Sequence, residues 1–470
     1  MNTQLLIIGA GPGGYVAAFH AADCGLEVTL VDDAPILGGV CLNKGCLPSK
    51  TLLHAAKILS ESKKASQFGI HFDDLKINID QLRNQKNNVV TKLTAGLAHL
   101  CKQRKINHIQ GQASFIDSHT VEILKQDNQK ETLPFKNAII ATGSSPIKLP
   151  TLPVSPHIWD STQALDLTGI PKSLLVIGGG YIGLELGTVY AALGSKVSII
   201  EMTSTLLPEA DPDLVNILQR QLKRKFHKLQ LNTKIISAEN SDEDVTVHLE
   251  NNKGQTSTET FTKVLVSIGR KPNTANIGLE NTHIEKDEKN FIQVNAQRQT
   301  AEKHIYAIGD VTGNPMLAHK ASHEARVAVE NILNKKATFT PKAIPAVMFT
   351  DPEIAWCGLT ETEANTKNIH VQISTFPWSA SGRAISLNRP DGLTKLIIDS
   401  ETKKILGIGI VGTNAGELIA EGTLAIEKGL TAEDLKNTIH PHPTLSETLM
   451  ESAEGAFGHY THIIKQYQFH

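Results

Sequence analysis

Cys41 and Cys46 stand in the run LGGVCLNKGCLPSK, residues 37–50, with four residues between them. That run begins just after a strand–turn–helix–strand pattern. The first strand reads QLLIIG, the turn is Gly9-Ala10-Gly11-Pro12-Gly13-Gly14, and Asp32 closes the second strand, EVTLVD. A thiol pair delivered directly to a dinucleotide-binding turn implies thiol–disulfide chemistry coupled to a bound nucleotide cofactor. Rival readings of the pair are weaker. Zinc sites use C-x2-C or similar with a second pair of ligands elsewhere, and the other cysteines, Cys24, Cys101 and Cys357, supply no second pair. Five cysteines are too few and too odd in number for a secreted disulfide framework. The three lone cysteines are expected to be small buried hydrophobes or inert thiols.

The nucleotide fingerprint occurs twice. The second copy is LLVIGGGYIGLELG, with Gly178, Gly180 and Gly183, and its next strand, KVSIIE, ends at Glu201. The spacing from Gly9 to Asp32 equals that from Gly178 to Glu201. In each copy the first glycine makes the tight turn and the second lets backbone approach a pyrophosphate. The third, Gly14 or Gly183, lets helix and strand pack closely, and the helix N-terminus favours the phosphate charge. The closing acid is placed to accept bonds from ribose hydroxyls. Glu201 therefore favours NAD over NADP, since a 2′-phosphate would face a carboxylate.

Two nucleotide sites and a dithiol fit one redox sequence. A disulfide and a nicotinamide each carry two electrons, but a thiolate does not deliver hydride. A flavin between them exchanges electrons with both. The first site, joined to the cysteines, is the natural flavin site, and the second the natural nicotinamide site. Lys50 follows the pair on a predicted helix, where it can stabilise negative charge on a reduced ring. The attacking thiolate also needs a base near neutral pH. TIHPHPTLSETLMES, residues 438–452, offers His440, His442 and Glu447, a compact histidine and carboxylate group; a nearby carboxylate orients the imidazole.

The remaining chain must position these groups. At 470 residues it is long enough for two to four domains, each with its own core. The formal charge of -2 gives no reason to expect nucleic acid or an anionic membrane, and no apolar run is long enough to span one. No Lys or Arg precedes Lys44, so the apolar N-terminus lacks the basic start of a signal peptide, and a cytoplasmic location is expected. Further strands end in glycine turns: NAIIATGSSP with Thr142, Gly143 and Ser144, VLVSIGRKP with Gly269, and HIYAIGDVTG with Asp310. Open α/β sheets place ligands at such strand ends. LPTLPVSP is a proline-rich crossing, residues 57–110 read as mainly helical, and residues 236–266 read as a β-meander. From about residue 345 the pattern turns to short antiparallel strands and helices, one starting near Thr431, as expected of a dimerisation domain. His459, His462 and His470 show no metal-ligand spacing, and no metal is expected. The fold class is α/β, with two Rossmann-like nucleotide domains and a C-terminal α+β domain. The expected boundaries are 1–149 and 273–344 for a split FAD domain, 150–272 for the NAD domain and 345–470 for the interface domain.

GGVCLNKGCLPSK, the double fingerprint, AIGD followed by MLAHKA, and HPHPTLSE together resemble the flavin-dependent pyridine nucleotide–disulfide oxidoreductases, in this order and over essentially the whole chain. The resemblance implies FAD, NAD and a homodimer whose active site is completed by the partner. It implies that Cys41 attacks the substrate, Cys46 lies against the flavin, and Lys50, paired with Glu185, sits near its reactive nitrogen. Asp310 would bind the ribitol region, with Met316, Leu317, Ala318 and His319 along the ring edge. Ala113 would join the FAD contacts and Ile235 the NAD contacts. His442 would be the base and Glu447 its partner. The implied reaction is oxidation of a protein-bound dihydrolipoyl group with reduction of NAD. Its partners would be lipoyl domains of 2-oxo acid dehydrogenase complexes or the glycine cleavage H protein. Mercuric and glutathione-type reductases are the alternatives. The first is expected to carry a second cysteine pair near its C-terminus, and the second prefers NADPH, which Glu201 opposes. A non-enzymatic surface or structural role would need neither the cysteines nor His442. Lys44, between the cysteines, and Pro441 depart from the usual pattern.

Overall fold

Leu5, Leu6 and Ile7 are fully buried because the strand Thr3–Ile8 runs through the middle of a parallel sheet. Both faces of such a sheet are covered, so its strands are continuously apolar. The computed structural model describes residues 3–72 and 75–464. In it the first sheet sets Asn107–Gln110, Val28–Asp32, Thr3–Ile8, Lys130–Ile140 and Ile305–Ala307 side by side, all parallel. The strand Lys130–Ile140 serves two partners. Its second half lies in this sheet, and its first half forms an antiparallel meander with Thr120–Leu124, which pairs with Gln112–Asp117.

The second sheet repeats the plan. Lys228–Gln230, Lys196–Ile200, Ser173–Ile177, Lys263–Val266 and Ile158–Trp159 are parallel. Beside them lies an antiparallel meander of Thr233–Asn240, Val245–Asn251 and Thr256–Phe261. The chain thus leaves the first sheet after Ile140, builds the second, and returns at Ile305. The short antiparallel pair Ser144–Pro146 and Arg270–Pro272 marks where it leaves and comes back.

The C-terminal unit is an antiparallel sheet in the order Ala346–Met348, Glu353–Gly358, Ile405–Gly412, Leu393–Asp399, Val371–Pro377. Helices Ala415–Lys428 and Glu447–Ala456 pack on it. The helix after Thr431 starts with a capping box between Thr431 and Asp434, as its sequence predicts. Buried ion pairs tie this unit to the second nucleotide unit. Lys395, almost fully buried, reaches Asp211, Asp213 and Glu361. Asp351 pairs with Lys225 at 2.7 Å and with Arg389, and these cations hold its carboxyl well below the usual range despite its burial.

The stretch 57–110 is helical as expected: Cys46–Lys64 and Ile79–Gln103, the second capped by Asn78 on the Gln81 N–H, precede the strand Asn107–Gln110. Cys101 and Cys357 are buried, and burial pushes both thiols up, Cys357 to about 11. Cys24 departs from the burial expectation: it follows the helix Pro12–Asp23 and faces solvent. No helix among the described residues is long and apolar enough to cross a membrane, and His470 lies outside the described residues.

Candidate functional site

The first fingerprint is built for close backbone contact. Gly9 adopts φ +104°, and a side chain there would overlap Ala141 O; one at Gly14 would overlap Gly9 O. The middle glycine differs. The nearest atom to a Cβ at Gly11 would be Gly39 Cα, 4.0 Å away, so space is open above it. The helix Pro12–Asp23 has no side-chain cap, which leaves its first N–H groups for an anion. The second copy matches: Gly178 has φ +107°, Gly183 packs against Gly178 O, and Gly180 meets nothing within 4 Å.

The closing acids brace these turns. Asp32 accepts the N–H groups of Ala10 and Ala34. Burial, with Asp33 beside it, nevertheless pushes its carboxyl up. Glu201 accepts from Gly179 N at 2.7 Å and from Thr203 N and Oγ1 at 2.7 and 2.8 Å.

The cysteine loop is seated on the first turn. Gly38 and Gly39 take φ +107° and +58°, both left-handed, and a Cβ on Gly39 would lie 2.6 Å from Gly11 Cα. Gly38 N donates to Ala10 O at 2.9 Å. The short helix Gly39–Lys44 carries Cys41, and Cys46 opens the next helix across Gly45. The two form a disulfide, with Cα atoms 4.8 Å apart. Asn43 Nδ2 ties the loop to Leu37 O and Gly39 O, while its Oδ1 is buried without a partner among the described residues.

Lys50 lies one helical turn after Cys46, on the same face. Its Nζ is 2.8 Å from Glu185, a 5% exposed carboxylate on the helix Tyr181–Leu193 that follows the second fingerprint. Glu185 also accepts from Ser49 Oγ and Phe349 N, both at 3.0 Å. One carboxylate therefore joins the redox helix, the second nucleotide unit and the C-terminal unit.

At the strand end Ile305–Ala307, Asp310 accepts a bond from Ser144 Oγ. Arg270 donates to Ser144 Oγ at 2.7 Å and to Ser144 O; its burial lowers its pKa. Thr142 Oγ1 donates to Asn273 O, and Asn273 N to Gly143 O. Gly269 and Gly143 both have positive φ. Met316, Leu317, Ala318 and His319 form the entry to the helix Ala318–Ile332. His319 Nε2 faces Pro345 O, and burial lowers its pKa. Below this turn, Glu324 accepts Gly309 N at 2.7 Å and Arg298 Nη1 at 2.9 Å, and Lys320 donates to Gly309 O and Gly313 O.

Arg270, Arg298, Lys320 and Glu324 escape the sequence reading. Their signals are faint: an arginine just after a strand-end glycine, and an i,i+4 Lys–Glu pair in AHKASHEAR. Ala113 packs its side chain in the core, so its backbone alone can meet a ligand, and Ile235 packs beside the second unit's core.

The histidine loop lies on the C-terminal unit. His442 Nδ1 is 2.8 Å from Glu447 Oε1, and Glu447 Oε2 accepts Thr444 N at 2.7 Å. Burial pushes the Glu447 carboxyl up, but the Thr444 N–H and the His442 and His462 rings lower it further, so the net shift is downward. The His442 side chain is 76% exposed. Among the described residues, no hydrogen bond or ion pair links it to the cysteine loop. The structure therefore unites Cys41, Cys46, Lys50 and Glu185 within one chain and leaves His442 with Glu447 facing outward.

A flavin dinucleotide fits the first turn on these grounds: an open approach at Gly11, uncapped helix N–H groups and an orphaned amide oxygen on Asn43. The open Gly180 turn fits a second dinucleotide.

Comparison with known proteins agrees. Residues 3–325 match the family described as pyridine nucleotide-disulphide oxidoreductase, and residues 344–453 match its dimerisation domain. The dihydrolipoyl dehydrogenase of Haemophilus influenzae is 49% identical over 455 residues, covering 97% of this chain and 95% of its own. That of Geobacillus stearothermophilus is 46% identical over 464 residues, covering 99% and 98%. Among solved structures, LpdA from Mycobacterium tuberculosis superposes with a TM-score of 0.89 at 27% identity, covering 96% of this chain and 99% of that one. The HOCl-induced flavoprotein disulfide reductase RclA from Escherichia coli, as its Cu(II) complex, gives a TM-score of 0.87 at 28% identity, covering 97% and 99%.

Proposed function

The chain belongs to the pyridine nucleotide-disulphide oxidoreductase family, and from that premise we infer the reaction and the part each residue takes in it. The protein oxidises dihydrolipoyl groups to lipoyl groups and reduces NAD, with FAD as its flavin. One observation carries this reading. The Cys41–Cys46 disulfide is seated on the first dinucleotide turn and lies one helical turn from a lysine whose carboxylate partner belongs to the second nucleotide unit.

His442, held at Nδ1 by Glu447, takes the proton of a substrate thiol at its outward nitrogen, Nε2. The substrate thiolate attacks Cys41 Sγ, the Cys41–Cys46 bond breaks, and Cys46 leaves as a thiolate. The second substrate sulfur, its proton passing to solvent, then attacks the substrate sulfur bound to Cys41, and Cys41 leaves and takes the proton held on His442. That closes the lipoyl disulfide and leaves both enzyme cysteines reduced. FAD would lie against Cys46 and Lys50 and, when bound, would supply the chemistry the side chains lack, two-electron exchange between a thiol pair and a nicotinamide. Lys50, held by Glu185, would place positive charge beside the bound flavin. Glu201 selects NAD, and Asp310 with Ser144 would hold the flavin's ribitol.

The dimerisation domain supports a homodimer. In it we place His442 of each subunit at the Cys41–Cys46 site of the partner. Residues 1–149 with 273–344 serve as the FAD domain, 150–272 as the NAD domain and 345–470 as the interface domain. The substrate arm would be the lipoyl group of a 2-oxo acid dehydrogenase complex or of the glycine cleavage system, in the cytoplasm.

A turnover assay tests the reading: dihydrolipoamide oxidation with NAD or NADP, beside reduction of glutathione disulfide and of mercuric ion by NADH or NADPH. Fast dihydrolipoamide oxidation with NAD is expected. Faster turnover with glutathione disulfide or mercuric ion refutes it.

A further inference from the structure

We propose that His440 and Glu421 form a positioning pair that fixes the loop presenting His442, so that dihydrolipoyl oxidation depends on a histidine that never touches substrate. The inference rests on His442 being the base. The two rings are two residues apart, and each pairs with a carboxylate, but they differ in exposure and in how many ring nitrogens are occupied. The His440 side chain is 4% exposed against 76% for His442. His440 Nδ1 faces Thr438 O at 2.9 Å, and its Nε2 faces Glu421 Oε1 at 2.7 Å. A carbonyl only accepts, so Nδ1 must carry the proton of the first bond. Nε2 and Oε1 can form the second bond only with one proton between them, whichever atom holds it. Both ring nitrogens are thus occupied, and His440 has no nitrogen left to take a proton from a thiol.

This arrangement fixes the loop's geometry. Residues 438–446 lie between the helices Ala432–Asn437 and Glu447–Ala456. Glu447 fixes the far end, accepting Thr444 N and holding the His442 ring. At the near end Thr438 still bonds back to Leu435 O and Asp434 O, but Ile439 beyond it is almost fully exposed. Glu421 comes from a different helix, Ala415–Lys428, which is anchored by Gly416 N donating to Glu353. His440 therefore clamps the near end of the loop to a rigid helix, and His442 hangs between two carboxylate-held points. A catalytic group must be held within about 0.5 Å of its working position, and a misplacement of about 1 Å can cost about 10²-fold.

The experiment uses the full-length holoprotein and two assays. Dihydrolipoamide oxidation with NAD needs the base. Ferricyanide reduction by NADH draws electrons without a substrate thiol. Glu421→Leu and His440→Leu should lose at least about tenfold in dihydrolipoamide kcat, keep KM for NAD, and keep ferricyanide reduction. Glu421→Gln, which retains a hydrogen-bonding oxygen and nitrogen, should recover most of the rate. Full dihydrolipoamide activity in both leucine variants overturns the proposal. So does a parallel loss in both assays, which marks a general defect in folding. His442→Gln, run alongside, separates the two readings. If it retains full turnover, the base assignment fails. If it is inactive while the leucine variants are normal, the positioning role alone fails.

Discussion

Mixing two inactive variants decides whether the site is shared between subunits. His442 faces outward from the C-terminal unit, and Cys41 lies on the first nucleotide turn. In an isologous dimer, each site would combine Cys41 of one subunit with His442 of the other. His442→Gln removes the proposed base, an expected loss of about 10²–10⁴-fold. Cys41→Ser removes the sulfur that is attacked, so both homodimers should be nearly dead. In a mixed dimer one site loses both residues, while the other keeps an intact Cys41 and an intact His442. Random assortment makes about half the dimers mixed, each with one working site of two, so a co-expressed mixture should show about a quarter of wild-type turnover. That is at least about 25 times the His442→Gln background when the base is worth about 10²-fold. Carrying different affinity tags on the two variants isolates the mixed dimer, which should show about half of wild-type turnover. Dihydrolipoamide-dependent NADH formation is the readout. If the base acted within its own chain, neither subunit of the mixed dimer would hold a complete set. A mixed dimer no more active than its parents refutes the shared site.

Three further outcomes follow from particular contacts. Glu201→Ala should weaken NAD by about 1.5–3 kcal/mol for each charge-assisted ribose bond lost, and NADP less; Michaelis constants for both nucleotides check this, and equal weakening contradicts the assigned role. Gly39→Ala must place a side chain at φ +58° and 2.6 Å from Gly11 Cα, costing about 1–2 kcal/mol of backbone strain besides the clash. The purified variant should therefore carry less flavin per chain, and an unchanged ratio would mean the loop is not seated on the turn as described. Glu447 has its pKa lowered by the Thr444 N–H and the His442 and His462 rings, against the effect of burial. A carboxyl lowered on folding stabilises the protein fully above its ordinary pKa and loses that contribution as pH falls through the lower folded value. Glu447→Gln should accordingly melt below wild type near neutral pH, with the gap narrowing in acid; a gap that widens in acid contradicts the sign.

Much of the molecule is legible from local pattern. Each fingerprint couples an apolar strand, three glycines at fixed offsets and a closing acid, so one short window states both a fold and a ligand. The exposed Cys24 and the double-duty strand Lys130–Ile140 are not legible in this way. Cys24 has a mixed neighbourhood in sequence, between Ala22-Asp23 and Gly25-Leu26, and it stands just past a helix end, where the chain turns to solvent. Lys130–Ile140 reads as one strand, yet its halves pair with different partners far apart in the chain. Within the eleven-residue window only Pro134, at the last antiparallel pair, marks where one pairing gives way to the next. Local pattern also does not fix the bonds of Arg298, Glu324 and Gly309, which are set when the chain returns to the first sheet at Ile305.

The site's least legible feature is which of two neighbouring histidines is free to act. HPHPTLSE presents both rings beside prolines, and residue type does not separate them. What separates them is the supply of acceptors around each ring. Glu421, nineteen residues upstream, and the Thr438 carbonyl consume both nitrogens of His440 and bury it. Glu447, five residues downstream, takes one nitrogen of His442 and leaves the other facing out. A histidine works as a base only through a nitrogen with an available lone pair, and its second nitrogen is best held by a fixed acceptor. The arrangement around His442 supports that role, and the one around His440 opposes it. The difference arises from a helix–loop contact of medium range, which is the scale at which sequence pattern stops and packing begins to decide chemistry.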